Sequence, residues 1–139
     1  MAVSLVAYAN FPGNTLEAMT YYQEVFGGTL DISTFADYGI EGMPADGTMH
    51  AHLAADGFSL MASDAMTGAE ATWGGTRVYL AFMGDEAEKM TGWYERLAAD
   101  GTVGMPLEEQ VWGDRYGDVR DKFGLEWMFN ISPPGGGAG

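Results

Sequence analysis

The sequence predicts an α+β fold of two tandem βαβββ modules whose curled mixed sheets surround a cavity. Three observations predict it. First, one phrase is written twice. "YYQEVFGGTL" at 21–30 and "WYERLAADGTV" at 93–103 both run from an aromatic pair through an acid and an apolar turn to a glycine and a Thr. Second, each copy follows one strand-like segment and precedes three more. Third, the last two strands of each set are separated by a tight glycine turn, at Asp56-Gly57 and at Phe123-Gly124. A single module has one helix and can cover only one face of its sheet. A second copy lets the two uncovered faces curve toward each other.

The helices carry the clearest signals. Asn14 stands three residues before Glu17, a capping-box spacing, and Leu16, Met19, Tyr22, Val25 and Phe26 recur at helical intervals before Gly27-Gly28. In the second copy Asp85 takes the cap position with Glu88 three later. Ala87, Met90, Tyr94 and Leu97 form the stripe before Asp100-Gly101. Strands are expected at 3–10 ("VSLVAYAN"), 29–35 ("TLDISTF"), 48–55 ("TMHAHLAA") and 58–63 ("FSLMAS"). Their counterparts are 77–83 ("RVYLAFM"), 102–107 ("TVGMPL"), a stretch around "RYGDVRD", and "LEWMFNI". The first module is therefore 1–64, a Gly-, Ala- and Thr-rich linker is 65–76, and the second module is 77–132. The tail 133–139 is Pro- and Gly-rich and is expected to be disordered. The whole forms one domain.

Composition bounds the function. At 139 residues the chain suits one domain that hides about two thirds of its unfolded surface, and 47% hydrophobic content is that of a packed protein. No apolar run approaches the ~18 residues that cross a bilayer, and no leader segment is expected. Six basic against 20 acidic residues give a net charge of −14. That field repels phosphate backbones and anionic membrane surfaces, so neither nucleic acid nor membrane is expected as a partner. With no Cys there is neither a disulfide framework nor thiolate chemistry, and a cytoplasmic location is the default.

Several residues are candidates for a site. His50 and His52 lie two apart on a strand, so both point to one face; Met49, Ala51 and Leu53 point to the other, toward the helix. Two such imidazoles can share a transition-metal ion, with Glu126 completing a facial triad. The plainer reading makes both histidines ordinary hydrogen-bonding residues. Glu126 and Met128 share a face of the last strand. In "WGDRYG" at 112–117, Trp112 and Tyr116 offer an aromatic wall and Arg115 a forked donor for an oxygen. Trp112 could equally anchor a core, and Arg115 could pair with Asp114 or Asp118. Ser63 or Asp64 could reach a ligand, though Asp64 also suits a turn into the linker. The loop 36–47 is longer than a connection requires and could serve as a lid, with Tyr38 and Met43 as its contacts. No glycine-flanked Ser elbow supports a Ser–His–Asp arrangement.

The helix ending "YYQEVFGG", the "MHAHL", the "LMASD" at 60–64 and, above all, "MPLEEQVWGDRYGDVRDKFGLEWMFN" resemble the PhnB-like branch of the vicinal oxygen chelate superfamily. That superfamily holds glyoxalase I, bleomycin-resistance proteins, fosfomycin-resistance enzymes and extradiol dioxygenases. The resemblance spans about residues 3–132. It implies a homodimer and, in the enzymes, a divalent metal held by His and Glu from the first strand of each module and from the end of the last. Those positions fall here at Ala7, at Val78 (or Arg77) and at Met128, none of them a usual ligand. A methyltransferase name is attached to some proteins of this branch, but no glycine-rich strand-to-helix loop here could cradle a nucleotide-like cofactor. The favoured expectation is a metal-free, small-molecule-binding dimer like the bleomycin-resistance proteins. Its ligand would meet His50, His52, Trp112, Arg115, Tyr116, Glu126 and Met128. The alternative is a lyase, isomerase or dioxygenase with a divalent metal on His50, His52 and Glu126.

Overall fold

A computed structural model describes residues 5–64 and 79–134. The chain divides into two compact units, Met1–Trp73 and Gly74–Gly139. The expected linker at 65–76 lies outside the described residues, as does the tail beyond Pro134.

The first unit runs β1 (Ala7–Phe11), α1 (Thr15–Phe26), β2 (Thr29–Thr34), a short 3-10 helix (Ala36–Tyr38), β3 (Thr48–Ala55) and β4 (Phe58–Asp64). Its sheet has the order β1-β4-β3-β2, with β1 parallel to β4 and the other pairs antiparallel. The second unit runs β5 (Leu80–Gly84), α2 (Ala87–Asp100), β6 (Thr102–Val103), β7 (Glu108–Glu109), β8 (Arg115–Arg120) and β9 (Glu126–Ile131). Its order is β5-β9-β8-β6, again with the outer strand parallel, and β7 also pairs with β8. Both units are thus βαβββ modules of one topology, and both sheets are open, as the repeated phrase predicts.

Each helix buries one stripe against its own sheet. On α1 the buried residues are Thr15, Ala18, Met19, Tyr22, Val25 and Phe26. Leu16, expected in the stripe, is 55% exposed. Thr15 takes the inward place because its N–H is tied at 3.0 Å to the Asp64 carboxylate at the end of β4, which fixes the helix's rotation. The same carboxylate accepts Thr48 N at 2.9 Å, so Asp64 is a structural clamp joining α1, β3 and β4. Asn14 does stand at the N-cap, but its side chain makes no cap bond; Asp64 performs that task from a distant strand. On α2 Met90, Tyr94 and Leu97 are buried as expected. Here the N-cap is Glu86, and Asp85 contributes its backbone carbonyl to Ala87 N, not its side chain.

Strand limits shift for identifiable reasons. The strand expected over 3–10 is seen at Ala7–Phe11, and β3 spans the full 48–55. "TVGMPL" does not form one strand but leaves two short pieces, β6 and β7, both on β8. The interruption falls at Gly104-Met105-Pro106: Pro106 has no N–H for the ladder, and the Asp118 carboxylate occupies the space a Cβ on Gly104 would need. The loop at 36–47 is pinned at its base by Phe35 N to Gly47 O and Ala36 N to Ala45 O, with Phe35 buried beneath it. Thr34 and Asp37 hydrogen-bond reciprocally at its start, while Tyr38, which ends the short 3-10 helix, is exposed.

Candidate functional site

Because side chains alternate along a strand, covering one face of each sheet with a helix leaves the other open. In the first unit Ala51, Leu53, Leu60 and Ala62 are buried under α1. The next residues along, His50, His52 and Met61, therefore line the open face. Asp31 of β2 lies opposite His52 and Ser33 opposite His50. From β1 come Tyr8, opposite Met61, and Asn10, opposite Ser63. Tyr8 Oη and His50 Nδ1 are hydrogen-bonded at 3.1 Å, with their rings 5.8 Å apart. Ser63 Oγ donates to Asn10 Oδ1 at 3.4 Å. The Nε2 of His52 is buried and has no hydrogen-bond partner among the described residues. This face is rich in hydrogen-bonding groups and includes the carboxylate of Asp31.

In the second unit Val119, Trp127, Phe129 and Ile131 are buried on the helix side. Alternation then places Tyr116 and Asp118 of β8, with Glu126, Met128 and Asn130 of β9, on the open face. Tyr116 Oη donates to Asp118 Oδ2 at 3.0 Å, and Met105 N donates to Asp118 Oδ1 at 2.8 Å. Trp112 is held over this face from the β7–β8 loop. Its indole N–H reaches Asn130 Oδ1 at 3.4 Å, Asn130 Nδ2 donates to Asp114 at 2.8 Å, and its ring meets Tyr116 edge-on at 6.4 Å. Arg115, one residue from Tyr116, points the other way and donates to Thr91 Oγ1 of α2 at 3.2 Å. The expected residues thus divide: Trp112, Tyr116, Glu126 and Met128 share the open face of one sheet, His50 and His52 that of the other, and Arg115 braces a helix.

The phenols on the second face are held neutral. Burial pushes Tyr116 up to about 12, helped by its hydrogen bond to Asp118, the negative charge there and the proximity of Tyr79. Tyr79, just ahead of β5, is also raised, by burial and then by the charges of Asp118 and Glu126. Both stay protonated donors at neutral pH. Sequence reasoning passed over Tyr8, Tyr79, Asp118 and Asn130. Tyr8 and Asn10 were readable from "AYAN", where they alternate with two small alanines.

Metal positions can be tested on the donors present. Ala7 lies on the helix side, opposite Leu60, so the open-face residue of the first strand is Tyr8. Arg77 and Val78 lie outside the described residues, and the open-face residues of β5 are Ala81 and Met83. Met128 contributes a thioether. Among the described residues no three His, Cys, Asp or Glu side chains gather as a metal-holding group. Among the described residues, Ala7, Tyr8, Ala81, Met83 and Met128 offer no set of oxygen and imidazole donors that fits a hard divalent ion at these positions.

Comparisons with known proteins agree with the architecture. The family model for the Glyoxalase/Bleomycin resistance protein/Dioxygenase superfamily matches residues 6–129. Protein YjdN of Escherichia coli (strain K12) is 31% identical over 140 residues, covering 91% of this chain and 94% of that one. The crystal structure of protein PA1353 from Pseudomonas aeruginosa is 31% identical with a TM-score of 0.76, over 95% of this chain and 99% of that one. The PhnB protein from Bacillus cereus, at 22% identity, has a TM-score of 0.73 over 94% of this chain and all of its own. At 13% identity, a fosfomycin resistance protein, FosX from Listeria monocytogenes, shares the fold with a TM-score of 0.62 and was solved with Mn(II); the two cover 95% and 92% of their lengths. Metal-dependent proteins therefore occur on this fold.

Proposed function

The chain belongs to the Glyoxalase/Bleomycin resistance protein/Dioxygenase superfamily, and from that premise we propose that it falls in the PhnB-like branch and is a metal-free binding protein for a small organic molecule. It works as a homodimer in the cytoplasm. The observation that carries this reading is the composition of the second open face. Met128 lies beside the Tyr116–Asp118 pair under Trp112, and these are contact groups for an organic ligand, not a coordination sphere. Thioethers adapt to irregular apolar shapes, rings supply broad contact, and a few fixed polar atoms set orientation. The first face adds the Tyr8–His50 hydrogen bond and the His52 nitrogen, unpartnered among the described residues, which a polar ligand atom could satisfy after a small side-chain shift.

The test is a fragment screen followed by 1H–15N NMR on labelled protein. The expected outcome is shifts confined to Tyr8, His50, His52, Trp112, Tyr116 and Met128. Fragments that perturb only the helices would overturn the reading. Light scattering should return twice the chain mass of 14.9 kDa.

A second reading keeps a divalent metal on His50 and His52 as part of a lyase, isomerase or dioxygenase site. It is favoured by one fact: the two imidazoles share an open face. Zn(II) or Ni(II) titrated into the protein and binding tightly, in a manner abolished by changing both histidines to Ala, would establish it.

A further inference from the structure

The two open faces differ in charge and in aromatic content, and that difference selects a ligand class. We propose that the open face of the second unit binds an organic cation, a quaternary or protonated amine, between the Trp112 and Tyr116 rings and the Asp118 carboxylate. This rests on the binding-protein reading above and names the chemistry of its ligand.

The argument starts from the rings. An aromatic face carries partial negative charge, so a cation over it is attracted, and more strongly where water is partly excluded. Trp112 and Tyr116 meet edge-on at 6.4 Å, which turns their faces in different directions and makes a corner, not a flat stack. Trp112 does not swing freely, since its indole N–H is tethered to Asn130, itself tied to Asp114. At the foot of Tyr116 stands Asp118, its Oδ1 fixed by the Met105 N–H and its Oδ2 by the Tyr116 hydroxyl. Each oxygen retains a further lone pair for a ligand. Met128 lies directly opposite Asp118 in the ladder and supplies a polarisable neighbour. Keeping the Tyr116 phenol protonated spares the carboxylate a second like charge.

Among the described residues, the cations nearest this corner do not pre-empt it. Arg115 is turned to Thr91 on the far side of the strand. Arg120 shares the open face but stands at its end, opposite Glu126, so Glu126 is left out of the proposal. The chain's net charge of −14 also draws cations from solution and repels anions.

The test compares choline with its uncharged carbon isostere, 3,3-dimethylbutan-1-ol, on the full chain, reading the Trp112 indole N–H and the Tyr116 amide by NMR. Choline should bind about tenfold tighter than the isostere, and the preference should shrink as salt is raised. Asp118→Asn should remove most of the preference, and Trp112→Leu, at an exposed position, should weaken choline several-fold while leaving the fold intact. Equal binding of both probes at this corner overturns the cation assignment and leaves a neutral-ligand binding protein. Choline binding that neither substitution alters overturns it as well. Should neither probe shift these residues, while neutral fragments shift the same face, the cation assignment again falls alone; the wider reading fails only if no fragment perturbs either open face.

Discussion

In the first unit the chain leaves its helix through Gly28 and in the second through Gly101, and the two glycines meet the same obstacle. A Cβ on Gly28 would strike the Ala54 carbonyl, and a Cβ on Gly101 the Arg120 carbonyl. The following threonines, Thr29 and Thr102, pair with those same residues, Ala54 and Arg120. The repeated phrase in the sequence is therefore a packing requirement: the exit from the helix presses on β3 in the first unit and on β8, its counterpart, in the second. Gly28 carries the additional demand of φ +96°, whereas Gly101, outside the left-handed region, needs only the space.

From that shared point the ladders align the units residue by residue, and the differences become informative. Leu60 answers to Trp127 on the helix side. The first unit draws its large rings from the helix and outer strand, Tyr22, Phe26 and Phe11. The second sets Tyr94 of its helix edge-on to Phe129 and adds more rings from the sheet, with Phe82 stacked on Trp127 at 5.7 Å. On the open side Met61 answers to Met128, but His50 answers to Tyr116, His52 to Asp118 and Tyr8 to Ala81. The buried side stays apolar in both units, while the open side diverges in chemistry. That is the pattern expected when one face is constrained by packing and the other by what it touches.

The largest effect should come from the core contrast. Trp127→Ala removes a 2%-exposed indole, its stack on Phe82 and its 2.7 Å bond to the buried Asp121 carboxylate. A loss of about 3–5 kcal/mol in urea unfolding is expected. Leu60→Ala should cost about 2–4 kcal/mol, less because no polar partner is orphaned. Next come the helix exits: Gly28→Ala and Gly101→Ala should each cost about 1–3 kcal/mol, with Gly28 the worse because strain adds to the clash. Then the clamp. Asp64→Ala leaves the N–H groups of Thr15 and Thr48 without their acceptor and should cost about 1–3 kcal/mol, whereas Asp85→Ala, whose side chain caps nothing, should be nearly neutral by the same assay.

These contrasts also mark what could be read in advance. Both helices, the module order and the histidine face follow from periodicity, because the buried face tolerates little else. The local rule placed Asn14 correctly at the N-cap but could not see that Asp64, 49 residues from Thr15, makes the capping bond, nor that Leu16 faces outward. "TVGMPL" read as one strand because Pro106 and the Asp118 contact at Gly104 outweigh its apolar character only in three dimensions. Trp112 and Tyr116 were recognisable as a pair, but the opposite facing of Arg115 required the register of β8.

The smallest effect concerns pH. Tyr116 ionises at about 12 in the folded chain against 10.0 for an ordinary tyrosine. The neutral phenol is thus favoured by folding, and its contribution is fully present below about pH 10 and lost as pH rises through about 12. A tyrosine titration followed by NMR should show one late-ionising ring on β8, absent in Tyr116→Phe. The alkaline fall in stability between those values should be shallower in that variant.

The proposal turns on Met128 and its neighbours on the open face of the second sheet serving an organic ligand, with no ion held by the chain. Elemental analysis of the protein purified without chelators tests it most directly. The account predicts zinc, nickel, iron and manganese well below one ion per chain. One tightly held ion per chain, lost when His50 and His52 are changed to Ala, would contradict it.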